Sequence, residues 1–200
     1  MSTPNRGDAR KERILEVALK TFADNGFRGA SIAEIADRCG LSQPGLLHHF
    51  PSKAALLAGV LEYRDRLDAE RLGTDEQPRG PLALHQLVRA VEHNTQVPGL
   101  VRLFTVVTAE AVAADHPAHD WAVARYRHLE AWITRALDAG IADGTIRPGI
   151  DAVAVARQIM AMMDGLQLQW LLDPENIDMA TLFRTHIEEL LARIAVAAAD

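Results

Sequence analysis

A chain of 200 residues, 48% hydrophobic and 24% charged with a net charge of −6, has material for one large domain or a small domain fused to a larger one. No run approaches the roughly 18 apolar residues of a membrane span, and the polar stretch Met1–Arg13 lacks the apolar core of a secretory signal. The single cysteine, Cys39, excludes an internal disulfide and fits a reducing compartment, so the cytoplasm is the expected location.

The spacing of apolar residues predicts helix almost throughout, and no alternating run of β-branched and aromatic residues suggests a strand. Ile14, Ala18 and Phe22, with Leu15 and Leu19 beside them, mark a first helix over about 10–25, stopped at Gly26. A second opens at Ser31, where Ser31 and Glu34 have the spacing of a capping box, and ends at Cys39-Gly40. Ser42 caps a short third helix through about His49, with Pro44 tolerated in its first turn. Ser52 caps a fourth that runs to Arg71; it belongs to the head at Leu56 and Leu57 and leans on the body at Leu61 and Leu67. Gly73 to Pro81 is the clearest linker. Helices follow at about 82–95, 99–114, 118–142, 152–172 and 178–197, separated by glycine and proline. The expected fold is all-α with about nine helices: a three-helix helix-turn-helix domain over 8–55, then a helical ligand-binding and dimerisation domain over 56–200.

Charge is unevenly spread. Residues 1–55 net +2 and the remainder nets −8, a basic head on an acidic body, which suggests a DNA-facing end. Two capped helices joined by Cys39-Gly40-Leu41 form the helix-turn-helix pattern, with Gly40 where the tight turn requires positive φ. Ile32, Ile35, Ala36, Leu41 and Leu46 would hold this unit on the first helix.

The longer run Ile14 to Leu57, ILEVALKTFADNGFRGASIAEIADRCGLSQPGLLHHFPSKAALL, closely resembles the DNA-binding domain of the tetracycline repressor (TetR) family. The matching features are the Phe22 helix, Asn25-Gly26-Phe27, the helix from Ser31 to Ala36, Gly40-Leu41-Ser42, and His49 to Lys53. The resemblance implies an all-helical homodimer, a variable C-terminal ligand domain, and repression of a double-stranded DNA operator relieved by a small-molecule effector. The chain departs from the family where Lys, Gly, Thr and Tyr are often found: here stand Gln43, Pro44, Gly45 and Leu47. The usual Thr and Tyr side chains grip phosphate, so Gln43, His48, His49 and Lys53 must carry more of that work.

Gln43 is the candidate for base reading, since glutamine pairs bidentately with adenine; the alternative is a solvated residue at a helix start. His48 and His49 are consecutive and point apart, so one faces DNA and the other packs in the head. Lys53, in the first turn of the fourth helix, is a candidate phosphate contact, as is the N–H of Gly45. Arg28 and Thr21 are weaker candidates for that role, and Ser31 is first a cap. Cys39 reads as a small buried apolar residue, with redox sensing a minor option.

In the body, a cleft between helices is the expected ligand site, apolar with a few polar anchors. Its candidate lining is Leu100, Phe104, Val107, Glu110, Trp121, His128, Trp132, Met160, Met163, Asp164 and Gln167, against the simpler reading that most of these are core. A buried carboxylate at Glu110 or Asp164 would need a partner, and so could mark a cationic or hydrogen-bonding ligand. The run Asp164 to Pro174, with Glu110 and His116-Pro117-Ala118-His119, is similar to a broad TetR subgroup that includes choline-responsive repressors. The proline inside His116-x-x-His119 and the lack of a third ligand argue against a metal. The last two helices are apolar on more than one face. One stripe of the helix at about 152–172, Val153, Ala156, Met160, Met163, Gln167 and Trp170, is read as facing inward. Val155, Ile159, Met162 and Leu166, with Phe183, Ile187, Leu190 and Ile194 of the last helix, are read as the dimer interface.

No P-loop, dinucleotide fingerprint, HExxH, CxxC or nucleophile elbow is present, so an enzyme is the least favoured class and no cofactor is expected. A DNA-binding protein without any small-molecule ligand remains the alternative, and it predicts a filled body.

Overall fold

The structure, a computed structural model, describes residues 6–72 and 78–196. Five residues of the expected linker, 73–77, lie outside the described residues. Among the described residues there are nine helices: α1 (Arg6–Gly29), α2 (Ile32–Arg38), α3 (Gln43–His49), α4 (Lys53–Leu72), α5 (Pro81–Asn94), α6 (Pro98–Glu110), α7 (His119–Ala142), α8 (Ala152–Leu172) and α9 (Met179–Ile194). The one β feature among them is an isolated antiparallel bridge between Ile146 and Ala195. None of these helices is long and apolar enough to cross a membrane.

The chain forms two compact units. The head unit comprises residues 1–71 and 99–122, the body unit residues 72–98 and 123–200. These units do not divide at the expected 55/56 boundary: α4 and α6 belong with the helix-turn-helix. The reason is apolar packing. Ile14, Ala18 and Phe22 of α1, Ile35 and Ala36 of α2 and Leu46 of α3 share one core with Leu56, Leu57, Val60 and Leu61 of α4 and Leu103 and Val107 of α6. Leu61, expected to lean on the body, is therefore buried in the same core as Leu56, and Leu67 packs against it.

In the head, chain-local chemistry sets the helix ends. Gly26 breaks α1 with φ 67° and ψ −179°, and a short helical stretch continues to Gly29. Ser42 Oγ accepts from the Gly45 N–H at 3.2 Å, and Ser52 Oγ accepts from the Ala55 N–H at 3.0 Å, so both expected caps form. The Ser31–Glu34 capping box does not form. Ser31 makes no side-chain cap bond, and the Glu34 carboxylate lies 3.6 Å from Arg38 along the same helix face.

In the body unit, α9 packs on α5 and α8. Asp151 and Asp178 cap α8 and α9, each carboxylate accepting one backbone N–H at 3.0 Å. The core joins Leu84, Val88 and Val91 of α5, Ile133 and Leu137 of α7, and the inner faces of α8 and α9. This overturns most of the expected dimer stripe. Ile159, Leu166, Phe183, Ile187, Leu190 and Ile194 are buried in the protomer's own core, and Val155 packs against it. Of that set only Met162 is exposed. A helix apolar on two faces leaves its inward face undetermined until its neighbours are placed, and here the packing of α9 on α5 and α8 takes up the face that had been assigned to a partner.

Candidate functional site

The reading unit is built by a sharp turn. Cys39 continues the last turn of α2, Gly40 takes φ 66°, and the Leu41 N–H returns to the Ala36 carbonyl at 2.9 Å. Leu46, fully buried, anchors α3 on the head core. With that side pinned, the opposite side of α3 faces outward: Gln43, Pro44 and His48 are exposed. His49 is half-buried, its ring edge-on to His48 at 5.8 Å, so His48 is the outward member of the pair. Ser31 and Arg28 are also exposed.

Three expected phosphate donors have other partners. The Gly45 N–H is spent on the Ser42 cap. Thr21 is fully buried: its hydroxyl donates to the Val17 carbonyl and accepts from Arg38 at 3.0 Å. Lys53 Nζ donates to the carbonyls of Ala30 at 3.0 Å and Arg28 at 3.3 Å, and stands 4.7 Å from the Phe27 ring centre. An ammonium has three donors, so one remains for another partner. Burial pushes the Cys39 thiol up, and Arg13 and Arg38 only partly oppose it, which disfavours the reactive thiolate.

The expected effector residues fall into two groups. In the head unit, Phe104 and Trp121 meet edge-on at 6.3 Å, Leu100 is half-buried, and Val107 is plain core. Glu110, expected as a ligand anchor, instead accepts from the Phe27 N–H at 2.6 Å and faces the Arg28 N–H at 3.5 Å. Sequence reasoning missed Arg64 altogether. This buried guanidinium pairs with Asp65 at 3.2 Å and Asp68 at 3.1 Å and stands 5.0 Å from the Phe104 ring centre. Trp121 Nε1 donates to Asp65 at 2.9 Å, so α4, α6 and α7 meet here in an aromatic and ionic cluster. The Arg64–Asp68 spacing along α4 was the available signal.

In the body unit, Met160 and Gln167 are buried, Met163 is half-buried, and His128 is exposed. Tyr126 donates to Asp164 at 2.7 Å. Burial pushes the Asp164 carboxyl up, opposed by that bond and by Arg125; burial and the carboxylate together hold the Tyr126 phenol well above its usual range. Trp132 lies elsewhere, in an open groove of about 940 Å³ with Leu82, Arg79, Arg135 and Asp143.

Residues 14–60, the stretch that builds this reading unit, match the profile of bacterial regulatory proteins of the tetR family, and residues 83–194 match the C-terminal region of BetI-type transcriptional repressors. The chain belongs to the TetR family. It is a DNA-binding transcriptional repressor, and not an enzyme. It is 30% identical over 167 residues to the transcriptional repressor KstR2 of Mycolicibacterium smegmatis, covering 78% of this chain and 77% of that protein. A TetR-family regulator from Agrobacterium tumefaciens superposes with a TM-score of 0.73 at 25% identity, over 94% of this chain and 98% of that one. A regulator from Saccharomonospora viridis, solved with choline, superposes with a TM-score of 0.70 at 25% identity, over 96% and 100% of the two chains.

Proposed function

We propose that two copies of this TetR-family repressor bind a pseudo-palindromic operator through α3 and release it when a small, mostly apolar molecule binds. The repressor acts in the cytoplasm, where a bacterial regulator meets its DNA. The observation that carries it is the presentation of Gln43, Pro44 and His48 on the outer side of α3, just after a closed turn and with Leu46 buried behind them. This is the geometry that brings a helix start to base edges in the major groove.

A second copy is supported by the outer face of α8. Met162, Leu168 and Leu172 are 38%, 49% and 77% exposed, and Ala161 and Gly165 lie between them at helical spacing. The space where Gly165 would carry a Cβ is open. Such an apolar stripe is costly in water and suits a symmetric contact between identical helices. Two recognition helices would then read half-sites about 34 Å apart or somewhat more.

The test is selection of binding sequences from a random duplex pool, with mass measured by sedimentation. Enrichment of inverted repeats by a dimer is expected. Leu168→Glu with Leu172→Glu should give folded monomers that lose the operator; full-strength binding by such monomers would sink the dimer. Gln43→Ala should relax discrimination at one base pair per half-site by about 1–3 kcal/mol.

For the effector, the Phe104–Trp121 pair supports a mostly apolar molecule. The Tyr126–Asp164 pair favours a second reading, a cationic one, since a buried carboxylate gains from a positive partner. Decanol and choline, titrated separately while operator release and tryptophan fluorescence are followed, separate the two. Release by decanol supports the apolar reading and release by choline the cationic one. Release by neither favours a DNA-binding protein without either class of ligand.

A further inference from the structure

The corner between the break in α1 and the start of α2, residues 26–30, is gripped from two sides. On the N–H side stands Glu110, the last residue of α6, whose carboxylate accepts from Phe27 at 2.6 Å and faces Arg28 at 3.5 Å. On the carbonyl side stands Lys53, the first residue of α4, bonded to the oxygens of Arg28 and Ala30. A carboxylate on backbone N–H groups and an ammonium on backbone carbonyls are charge-assisted bonds, the strong kind. The corner is also shaped for the carboxylate. A Cβ on Gly26 would stand 2.6 Å from Glu110 Oε1, and the φ of 67° there already disfavours any other residue. His116 completes the seat. Its side chain is 2% exposed, its Nδ1 accepts from the Ala118 N–H, and its Nε2 lies 3.6 Å from Glu110 Oε2. The ring of Phe27 packs edge-on to His116 at 5.2 Å.

We infer that Glu110 is a positioning residue for operator binding: from the end of α6 it fixes the corner that leads into α2, and so fixes how the reading unit is presented. The inference rests on the operator-binding reading above and adds the route by which a bound small molecule would reach the DNA-facing end. A shift of α6 moves the carboxylate and pulls the N–H side of the corner, while Lys53 holds its carbonyl side to α4. Glu110 touches no DNA in this scheme. It acts through the peptide groups of Phe27 and Arg28, which distinguishes it from Gln43 or a phosphate contact.

The experiment uses the full chain and an operator selected with the wild type. Affinity is measured for that operator, for versions with one base pair added or removed between the half-sites, and for unrelated duplex. Glu110→Ala is expected to bind the selected operator about tenfold more weakly. It should narrow the discrimination against mis-spaced operators by a similar factor, and leave unrelated duplex and the salt slope unchanged. Glu110→Gln, which keeps one acceptor oxygen, should fall between, and serves if the alanine variant does not fold. Amide exchange at Phe27 and Arg28 should accelerate in both. A merely structural residue would lower the melting temperature without changing spacing discrimination, and that result overturns the inference, as does unchanged affinity in both variants. A wild type that selects no sequence overturns the operator reading itself, a result distinct from failure at Glu110.

Discussion

The head and body units bury their apolar residues in the same way but differ in what locates their polar groups. In the head, caps and turns lie within a few residues of the elements they end: Ser42 on Gly45, Ser52 on Ala55, Gly40 in the turn, Gly26 at the break. In the body the caps are equally local, but the residues that would define a ligand site, Tyr126 on Asp164 and Trp132 in its groove, take their meaning from helices far apart in sequence. The contrast teaches where function is written in such a chain. A DNA-reading surface needs one short, rigid motif whose chemistry is local, whereas an effector site is assembled by packing and can vary with each side chain that lines it.

The largest effects should come from testing the cores that carry each unit. Phe22 and Phe183 are both fully buried, one in each core. Replacing either with alanine leaves a cavity and is expected to cost about 3–5 kcal/mol in chemical denaturation. Phe22→Ala should also abolish operator binding, because α1 is the platform for α2 and α3. Trp121 reports on the head unit and Trp132 and Trp170 on the body unit, so single-tryptophan versions show which unit loosens. If Phe22→Ala loosens only the environment of Trp132 and Trp170, the division into two cores is wrong.

Much of the fold is legible because helix periodicity and stop signals agree: α5, α7 and α8 fall within a residue of expectation, while α1 extends from about 10–25 to Arg6–Gly29, the end of α6 moves from about 114 back to Glu110 and that of α9 from about 197 back to Ile194. The errors have specific physical causes. Ser31 does not cap α2, and the Glu34 carboxylate that would complete the box lies beside Arg38, one turn ahead. The stripe read from the sequence as a dimer interface faces inward instead, because α8 is apolar on two faces and periodicity alone does not rank them. Glu110 was assigned to a ligand because its partner, the Phe27 N–H, is 83 residues away. Lys53 reads from the sequence as a candidate phosphate contact, and its ammonium also closes the carbonyls of the corner before α2. For Glu110 and Lys53 the partner lies beyond the reach of local spacing.

A smaller effect sharpens the comparison at the corner itself. Gly26→Ala places a side chain at φ 67° and ψ −179°, a region essentially restricted to glycine, which alone costs about 1–3 kcal/mol, and adds the 2.6 Å approach to Glu110 Oε1. Making the same change in the Glu110→Ala background should cost less, because the clash is gone while the backbone penalty remains. The double-mutant cycle, read by urea denaturation, should show coupling of about 0.5–3 kcal/mol. Strict additivity would mean that the carboxylate is not seated against Gly26.

The smallest expected effect lies in the body and depends on pH. Burial raises the Asp164 carboxyl above its unfolded value of 3.8, and the Tyr126 hydrogen bond and Arg125 only partly oppose the shift. In the window between 3.8 and the raised value, the folded protein therefore binds more protons than the unfolded chain. Stability should fall as pH rises through that window, because the carboxyl must ionise in a site that resists charge, and should recover as pH falls back through it. Carboxylates elsewhere in a protein also ionise in the acid range, so the wild-type profile alone mixes many groups. The difference between wild type and Asp164→Asn isolates this one group, since the amide is nearly the same shape and does not ionise. Measured by thermal unfolding at closely spaced pH values, the wild type should lose stability relative to the Asn variant as pH rises from 3.8, then run parallel to it once Asp164 is fully ionised. A wild type that instead gains on the variant over this range would mean that Tyr126 and Arg125 outweigh burial. It would also remove the uncompensated charge on which the cationic effector reading depends.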